Sequence, residues 1–514
     1  MSRLLEALYR ERCVPASALR RNAAGKWFLH LGRPPALRAP VTGPLPFRRL
    51  QVNNCPRALS RDSWRPLRTP DAFLSALRRS LATSAIARYF DRLAADFNNS
   101  FANLVLNNLL GRHLNGEASA IEPVYQGHTH YPFPALRIGP SVADVVSCSN
   151  LCRRAIDLPM VAVQPGRLDS PHFDDHRACH GAWAGRPLPP RNAIVIPLHP
   201  WHLKLSPLVR DLLDGRWITL LENRVRAVPL ASQRTCRILA TGFDIKLPIA
   251  ATLTSQERLL YPLNRANAPT ISALARVQHE RSAERTLEFQ YDLATLAHAD
   301  PDIGTHLSAI VRAPVPHRAG EVVVPALNLW SGPRQARTLL DLHDPEGAYK
   351  FFRVYCRVLM RGPIDLYARW GMAFEPHLQN VSVALCNGVP SRIILRDLDS
   401  TILDPDRIRP VLRRHGLPLA PGTWQHMPTF DVGGRRLAHA MMAGHLGEVM
   451  GYLIDAARAE VAVLETLLND VWNEIHTSAS PSSRRWVRDL RAHGDTVTAM
   501  LQMRLRRSRR LMFV

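Results

Sequence analysis

Residues 375–399 read Glu-Pro-His-Leu-Gln-Asn-Val-Ser-Val-Ala-Leu-Cys-Asn-Gly-Val-Pro-Ser-Arg-Ile-Ile-Leu-Arg-Asp-Leu-Asp. Two β-branched runs flank Asn387-Gly388, the dipeptide that most readily takes the two positive φ angles of a type I′ turn. The stretch is therefore predicted as a β-hairpin. Helical patterns lie on both sides of it, at 346–371, split near Pro363, and at 435–475. A hairpin set between helices makes the C-terminal part, 333–514, α+β, and the fold class predicted for the chain is α+β.

Upstream the texture changes. From about 120 to 330 short β-branched runs alternate with Pro and Gly, including AIVIPL at 193–198, RTCRILA at 234–240 and DIKLPIAATL at 244–253. Residues 116–332 are predicted as mainly β. Residues 1–68 are rich in Arg and Pro with little periodicity, and Thr69-Pro70-Asp71 then opens a helical pattern that runs, with breaks, to about His113. Residues 1–115 are expected to form a helical N-terminal part. There is no internal repeat, and TSASPSS at 477–483 reads as a loop.

The 514 residues suffice for about three domains. The formal charge is +23, and 62 of the 66 basic side chains are arginine; the lysines are Lys26, Lys204, Lys246 and Lys350. Lysine is a compact point charge that the guanidinium fork does not replace, so each survivor is a candidate functional cation. The arginines are dispersed apart from RLRRSRR at 504–510, and no nucleic-acid-binding motif accompanies them, so no nucleic-acid partner is expected. The eight cysteines show no CxxC pair and read as reduced, mostly buried thiols. No apolar run is long enough for a signal peptide or membrane span, which predicts a cytoplasmic protein with no membrane partner.

Two segments carry chemistry. Neither GxxxxGK[ST] nor a helix-opening GxGxxG is present, so a phosphate site must be built differently. The first segment holds Ser232-x-Arg234-Thr235, Lys246, Thr254 and Arg258. Alternation after a hairpin turn at 241–244 puts Asp244, Lys246, Thr252 and Thr254 opposite an apolar face of Ile245, Leu247, Ile249, Ala251 and Leu253. Thr254-Ser-Gln-Glu257 reads as a capping box that starts a helix at Thr254 and sets Arg258 in its first turn. Free N–H groups with a flanking arginine and lysine attract phosphate or carboxylate; an ordinary capped helix with solvated charges fits the same pattern.

The second segment is Glu375-Pro-His377-Leu-Gln379-Asn380 with Arg396-Asp397-Leu-Asp399 after the hairpin. An acid, an asparagine five positions on, a hairpin and an aspartate parallel the protein-kinase arrangement. Mg²⁺ takes carboxylate, amide and phosphate oxygens, which Asp397 and Asn380 can supply with Glu375 or Asp399. A polar loop with a cap aspartate is the alternative. Weaker candidates are His199-Pro-Trp201-His202, the loop from Gly127-His128 through His130 to Arg137-Ile-Gly139, and His172, His176 and His180 at helical spacing.

In chain order, His-Pro-Trp, Ser-x-Arg-Thr, a lysine eleven residues later, Thr-x-x-x-Arg, Glu-x-His-x-Gln-Asn and Arg-Asp-x-Asp resemble the NRPS-independent siderophore synthetases, the aerobactin synthetase-like IucA/IucC family, over about residues 100–500. The resemblance implies a cupped hand of thumb, fingers and kinase-like palm, matching 1–115, 116–332 and 333–514, with ATP between fingers and palm. It implies that Ser232, Arg234, Thr235, Lys246 and Thr254 meet the ATP phosphates, and that Glu375, His377, Gln379, Asn380, Asp397 and Asp399 complete the nucleotide and Mg²⁺ site. By the same resemblance Glu375, Asn380 and Asp397 would be its metal ligands. Arg258 and His377 would meet the carboxylate of citrate or a citrate-like acid, and Arg258, His377, Arg234 and Lys246 would carry catalysis. The implied reaction is adenylation of that carboxylate and capture by an amine or alcohol, releasing AMP and pyrophosphate. A homodimer is compatible with the resemblance. A kinase-like small-molecule phosphotransferase shares the palm motif and is the alternative; a non-catalytic polyanion-binding protein is argued from charge alone. The family's Gly-His-Pro-x-His-Pro-x-x-Lys loop carries Thr129, Tyr131 and Ala135 here at its first proline, second histidine and lysine, and His202 replaces the glutamine after His-Pro-Trp.

Overall fold

A computed structural model of the chain describes every residue except 33–35, 61–62, 112–130, 151–153, 164–167, 170–193, 255, 283–284, 331–339, 341, 343 and 509–511. Strands Val381–Cys386 and Val389–Leu395 form the predicted hairpin, with φ of 52° at Asn387 and 79° at Gly388. Glu321–Pro325 pairs antiparallel with one of its strands and Leu287–Phe289 parallel with the other, giving a four-stranded sheet. Helix Pro345–Trp370 packs its buried face into the same core. Asp344 caps its start by accepting from Gly347 N at 2.8 Å, and Gly371 ends it in the left-handed conformation. The expected split near Pro363 is absent. Interior proline costs about 3 kcal/mol, but Phe351, Phe352, Tyr355, Leu359, Ile364 and Leu366 are all buried along this helix, each worth about 1.5–3 kcal/mol. The expected helical run at 435–475 is instead three α-helices, Phe430–Ala438, Gly447–Ala457 and Val461–Ser478, with a π-helical turn His439–Leu446 between the first two.

The middle of the chain holds an eight-stranded antiparallel sheet in the order Ile194–Pro197, Ile156–Val163, Ile218–Pro229, Thr235–Ile238, Asp244–Lys246, Ser308–Arg312, Asp292–His298 and Leu168–Asp169. The expected single strand over 244–253 is two strands in two sheets. Pro248 has no N–H to give a ladder, so the chain leaves the large sheet after Lys246. Ile249–Leu253 then joins Gln256–Arg258 and Arg137–Ile138 in a three-stranded sheet. Helix Pro262–Arg281 follows.

The expectation of a helical N-terminal part needs correction. Helices Pro70–Ser80, capped by Thr69, and Phe90–Gly111 are present, but residues between 19 and 66 form a six-stranded sheet. Leu29 and Leu31 on one strand and Leu37, Ala39 and Val41 on the next all turn into the core. Phe28 and His30 on the first strand and Arg38 and Pro40 on the second fill the opposite positions, and this mixture hides the two-residue period. Leu501 and Leu505 of the late helix Met500–Arg506 complete this core, and buried Glu11 accepts from Leu501 N at 2.9 Å and Gln502 N at 3.0 Å. The six described thiols are free, yet only Cys236 and Cys356 of them are buried; Cys55 and Cys386 lie exposed in a loop and at the hairpin end. Among the described residues no helix is long and apolar enough to cross a membrane.

Candidate active site

The hairpin ends in Arg396-Asp397, where Asp397 takes φ 67° and starts a short helical turn, Leu398–Ser400. That left-handed residue swings two carboxylates toward the large sheet. Lys246 meets both: its Nζ lies 2.6 Å from Asp397 Oδ1 and 2.7 Å from Asp399 Oδ1, with a side chain only 2% exposed. Arg312 on the neighbouring strand donates from Nη2 to Asp397 Oδ1 at 3.0 Å and from Nε to Asp292 Oδ1 at 2.7 Å. Burial pushes the Asp397 carboxyl up, but Lys246 and Arg312 outweigh it and hold the group well below the usual carboxylate range. Burial raises Asp292, against the pull of Arg312. Arg312 belongs to none of the motifs above, although an arginine in the otherwise uncharged strand SAIVR is itself a signal that a buried acid faces it.

The opposite wall differs from expectation. No capping box forms at Thr254. Instead Thr254 takes φ 61° at the tip of a tight turn, and Arg258 lies on strand Gln256–Arg258 rather than in a helix. The helix starts at Pro262, whose place in its first turn is the stronger start signal. Arg258 donates from Nε to Leu253 O at 3.1 Å and from Nη2 to Thr254 Oγ1. Tyr131 donates to Thr254 O at 3.0 Å, tying the tip to the N-terminal core. Burial first, and the Arg234 charge second, lower the Arg258 guanidinium to about 10. Arg234 donates to Leu259 O at 3.1 Å, and Ser232 Oγ accepts from Thr235 N at 3.1 Å. Gln233, Thr254 and Asp397 are all non-glycine residues with positive φ, strain of the kind that collects at functional sites.

The floor is set by Glu375. Arg436 grips it bidentately, Nε to Oε1 and Nη2 to Oε2 both at 2.6 Å, and Ser400 donates to Oε2 at 3.1 Å. Burial would raise this carboxyl; Arg436, foremost among the opposing charges, brings it below its ordinary value. Asn380 Nδ2 donates to Glu375 O at 3.2 Å, and Arg396 holds Gln379 O at 2.6 Å. Beneath them His445 contacts Pro376 O through Nδ1 at 2.8 Å and Tyr355 OH through Nε2 at 2.6 Å. A carbonyl only accepts, so Nδ1 carries the proton and Nε2 accepts from the tyrosine. Burial lowers His445 to about 3. The π-helical turn above it places Gly444 where a Cβ would stand 3.4 Å from His377 Cβ.

These walls enclose a cavity of about 330 Å³. Arg234, Lys246, Thr254, Arg258, Glu375, His377, Gln379, Asn380, Asp397 and Asp399 all line it. Ser232 lines an adjoining cavity that shares Arg234, Thr254, Arg258, Gln379 and Asp397 with the first, whereas Thr235 is buried and lines neither. Arg436, His439, Asn264 and Met503 also line the cleft and carry no local motif that could have revealed them. Among the described residues no three Asp, Glu, His or Cys converge as a metal cage. Both Glu375 oxygens are engaged by Arg436, unlike Asp397 Oδ2, Asp399 Oδ2 and Asn380 Oδ1, which accept nothing from the described residues. Two carboxylates and an amide suit Mg²⁺ held jointly with phosphate oxygens.

His199 and His202 are held in hydrogen bonds within the fold. His199 Nδ1 accepts from Trp201 N at 3.1 Å, and His202 bridges Ala250 N and His306 O at 3.0 and 2.7 Å. Arg137 is buried against Asn150 Oδ1 at 2.9 Å. Gly127, His128, Thr129 and His130, and likewise His172, His176 and His180, lie outside the described residues.

Residues 118–330 match the model of the IucA / IucC family. Residues 350–512, C-terminal to that stretch, match the model described as a ferric iron reductase FhuF-like transporter. The chain is 27% identical to the uncharacterized protein y4xN of Sinorhizobium fredii over 45% of its own length and 40% of that protein's. It is 22% identical to the L-2,3-diaminopropanoate–citrate ligase of Staphylococcus aureus over 74% of its length and 70% of the ligase. The chain's alignments to the first of these curated relatives span about two-fifths of their length. In fold, it is similar to petrobactin biosynthesis protein AsbB of Bacillus anthracis (TM-score 0.81, 17% identity, covering 98% of this chain and 91% of AsbB). It is also similar to ATP-bound aerobactin synthetase IucA of Klebsiella pneumoniae (TM-score 0.77, 14% identity, covering 100% and 98%).

Proposed function

We propose that the chain is an ATP- and Mg²⁺-dependent ligase that adenylates a carboxylate of citrate or a citrate-like acid and joins it to an amine or alcohol. The observation that carries this reading is the convergence of Arg234, Lys246, Arg258 and Arg436 with Asp397, Asp399 and Asn380 on one cleft. Such a set suits a polyanionic substrate accompanied by a divalent cation. The names of relatives support ligation over phosphotransfer: one is a citrate ligase and one fold neighbour is an ATP-bound synthetase. The FhuF-like stretch contains only Cys356 and Cys386, too few for the four thiolates of an iron–sulfur cluster.

In this reading a substrate carboxylate oxygen attacks the α-phosphorus of ATP and the bond to pyrophosphate breaks. The amine or hydroxyl then attacks the acyl carbon, loses its proton and displaces AMP. Arg258 and Arg234 hold carboxylate and α-phosphate together, and Lys246, released from Asp397 and Asp399, neutralises phosphate charge. Asp397, Asp399 and Asn380 would hold Mg²⁺, with Glu375 anchoring Arg436 rather than ligating. When bound, that ion offsets charge on the phosphate oxygens. His377, whose pKa burial lowers, would accept the nucleophile's proton. The three largest hydrophobic cores among the described residues would correspond to thumb, palm and fingers. The protein would work in the cytoplasm, where ATP is available, as a homodimer. Arg258→Ala should cut citrate-dependent pyrophosphate release by about 10²–10³ with the fold retained; unchanged release would refute the assignment.

A further inference from the structure

A second basic site, sharing no lining residue with the cleft, lies on the N-terminal sheet. Between residues 12 and 70 the sequence has eleven arginines and Lys26 against a single acid, Asp62. The sheet buries Leu29, Leu31, Leu37, Ala39 and Val41 on one face, which sends Phe28, His30 and Arg38 to the other. On that face is a groove of about 910 Å³, lined by Lys26, Trp27, Phe28, Arg38, Arg57 and Arg68 and by no Asp or Glu. None of these four cations has a carboxylate partner among the described residues. Arg38 sits over Phe28 at 5.3 Å and over Trp64 at 4.3 Å, and its Nε, out of contact with solvent, has no hydrogen-bond acceptor. Stacking of this kind fixes a guanidinium fork in a partly dehydrated setting, where an arriving oxyanion is bound more strongly than in open water.

We infer that this groove binds a compact, multiply charged polyphosphate, either inorganic or carried by a nucleotide. Four unpaired cations in one concavity call for a ligand with several charges. A second copy of the same face would repel it. Nucleic acid fits less well, since base stacking needs free aromatic faces and Arg38 occupies faces of Phe28 and Trp64. The proposal is independent of what the cleft catalyses.

The test is calorimetric titration of the full chain with sodium tripolyphosphate, and separately ATP, citrate and a single-stranded oligothymidylate, at about 150 mM salt. The variants are Arg38→Gln/Arg57→Gln for the groove and Arg258→Ala for the cleft. The expected result is tripolyphosphate binding that survives in Arg258→Ala and weakens at least about tenfold in the double variant, whose turnover of ATP is unchanged. ATP binding at the groove alongside tripolyphosphate would assign the nucleotide source, and its absence the inorganic one. Equal binding in wild type and double variant, loss only in Arg258→Ala, or citrate as tight as tripolyphosphate would overturn the inference. Oligothymidylate binding tighter than tripolyphosphate through the same arginines would overturn it in favour of nucleic acid. If circular dichroism shows the double variant unfolded, Lys26→Gln/Arg68→Gln, both exposed, is read by the same criteria.

Discussion

In the cleft, Lys246 and Arg312 are buried and each touches two of the three carboxylates Asp292, Asp397 and Asp399. In the N-terminal groove, Lys26, Arg57 and Arg68 are exposed, and Arg38 rests on aromatic rings. The two regions show that net charge is a poor guide to what a basic residue does. A buried cation with its acids is part of the fold as well as a candidate reagent, because removing it strands charge in a poorly solvated place. An unpaired surface cation can be removed without stranding anything, and its contribution lies in what it attracts.

This contrast orders the expected effects. Lys246→Met leaves Asp397 and Asp399 without their shared cation and should cost about 3–5 kcal/mol in denaturant unfolding, with loss of ATP turnover. Lys246→Arg should fail to restore turnover, since a planar fork cannot sit as a point charge between the two oxygens. Glu375→Gln, which strips Arg436 of its bidentate partner, should lower turnover with a smaller stability loss, about 1–3 kcal/mol. Next come the buried histidines. His199, His202, His439 and His445 are each lowered by burial to about 3. Their folded pKa lies below the unfolded one, so the unfolded chain binds more protons between about pH 6.5 and 3. Stability is therefore highest above that window and falls as pH drops through it, by about 1.4 kcal/mol per pH unit for each histidine. Urea unfolding at stepped pH checks this, and His445→Gln should make the slope shallower by one histidine's share. The smallest effect belongs to the groove: Arg57→Gln should change stability by no more than about 0.5 kcal/mol. A larger loss there would erase the distinction between the two regions.

Much of this was legible in the chain. Asn387-Gly388 announced the hairpin, and Arg396-Asp397-Leu-Asp399 announced its acidic end, because turn chemistry and short spacing are local. Lys246 stood out by rarity among arginines. The turn at Thr254 is ambiguous in sequence: a Thr-x-x-Glu pattern is local too, but pairing of Gln256–Arg258 with Ile249–Leu253 overrides it, and only tertiary context decides between them. The N-terminal sheet is hidden for another reason, since Phe28, His30, Arg38 and Pro40 in its outward positions give no clean polar–apolar alternation. Arg312 and Arg436 reach the site from strands and helices distant in sequence, where no spacing links them to Asp397 or Glu375.

The most direct test of the account is a product assay. The purified chain is incubated with ATP, Mg²⁺ and a panel of citrate-like acids and then amines, and the nucleotide released is identified. The account predicts AMP and pyrophosphate in equal amounts, dependent on the carboxylate. Release of ADP with a phosphorylated product, or no nucleotide turnover with any acid of the panel, would contradict it.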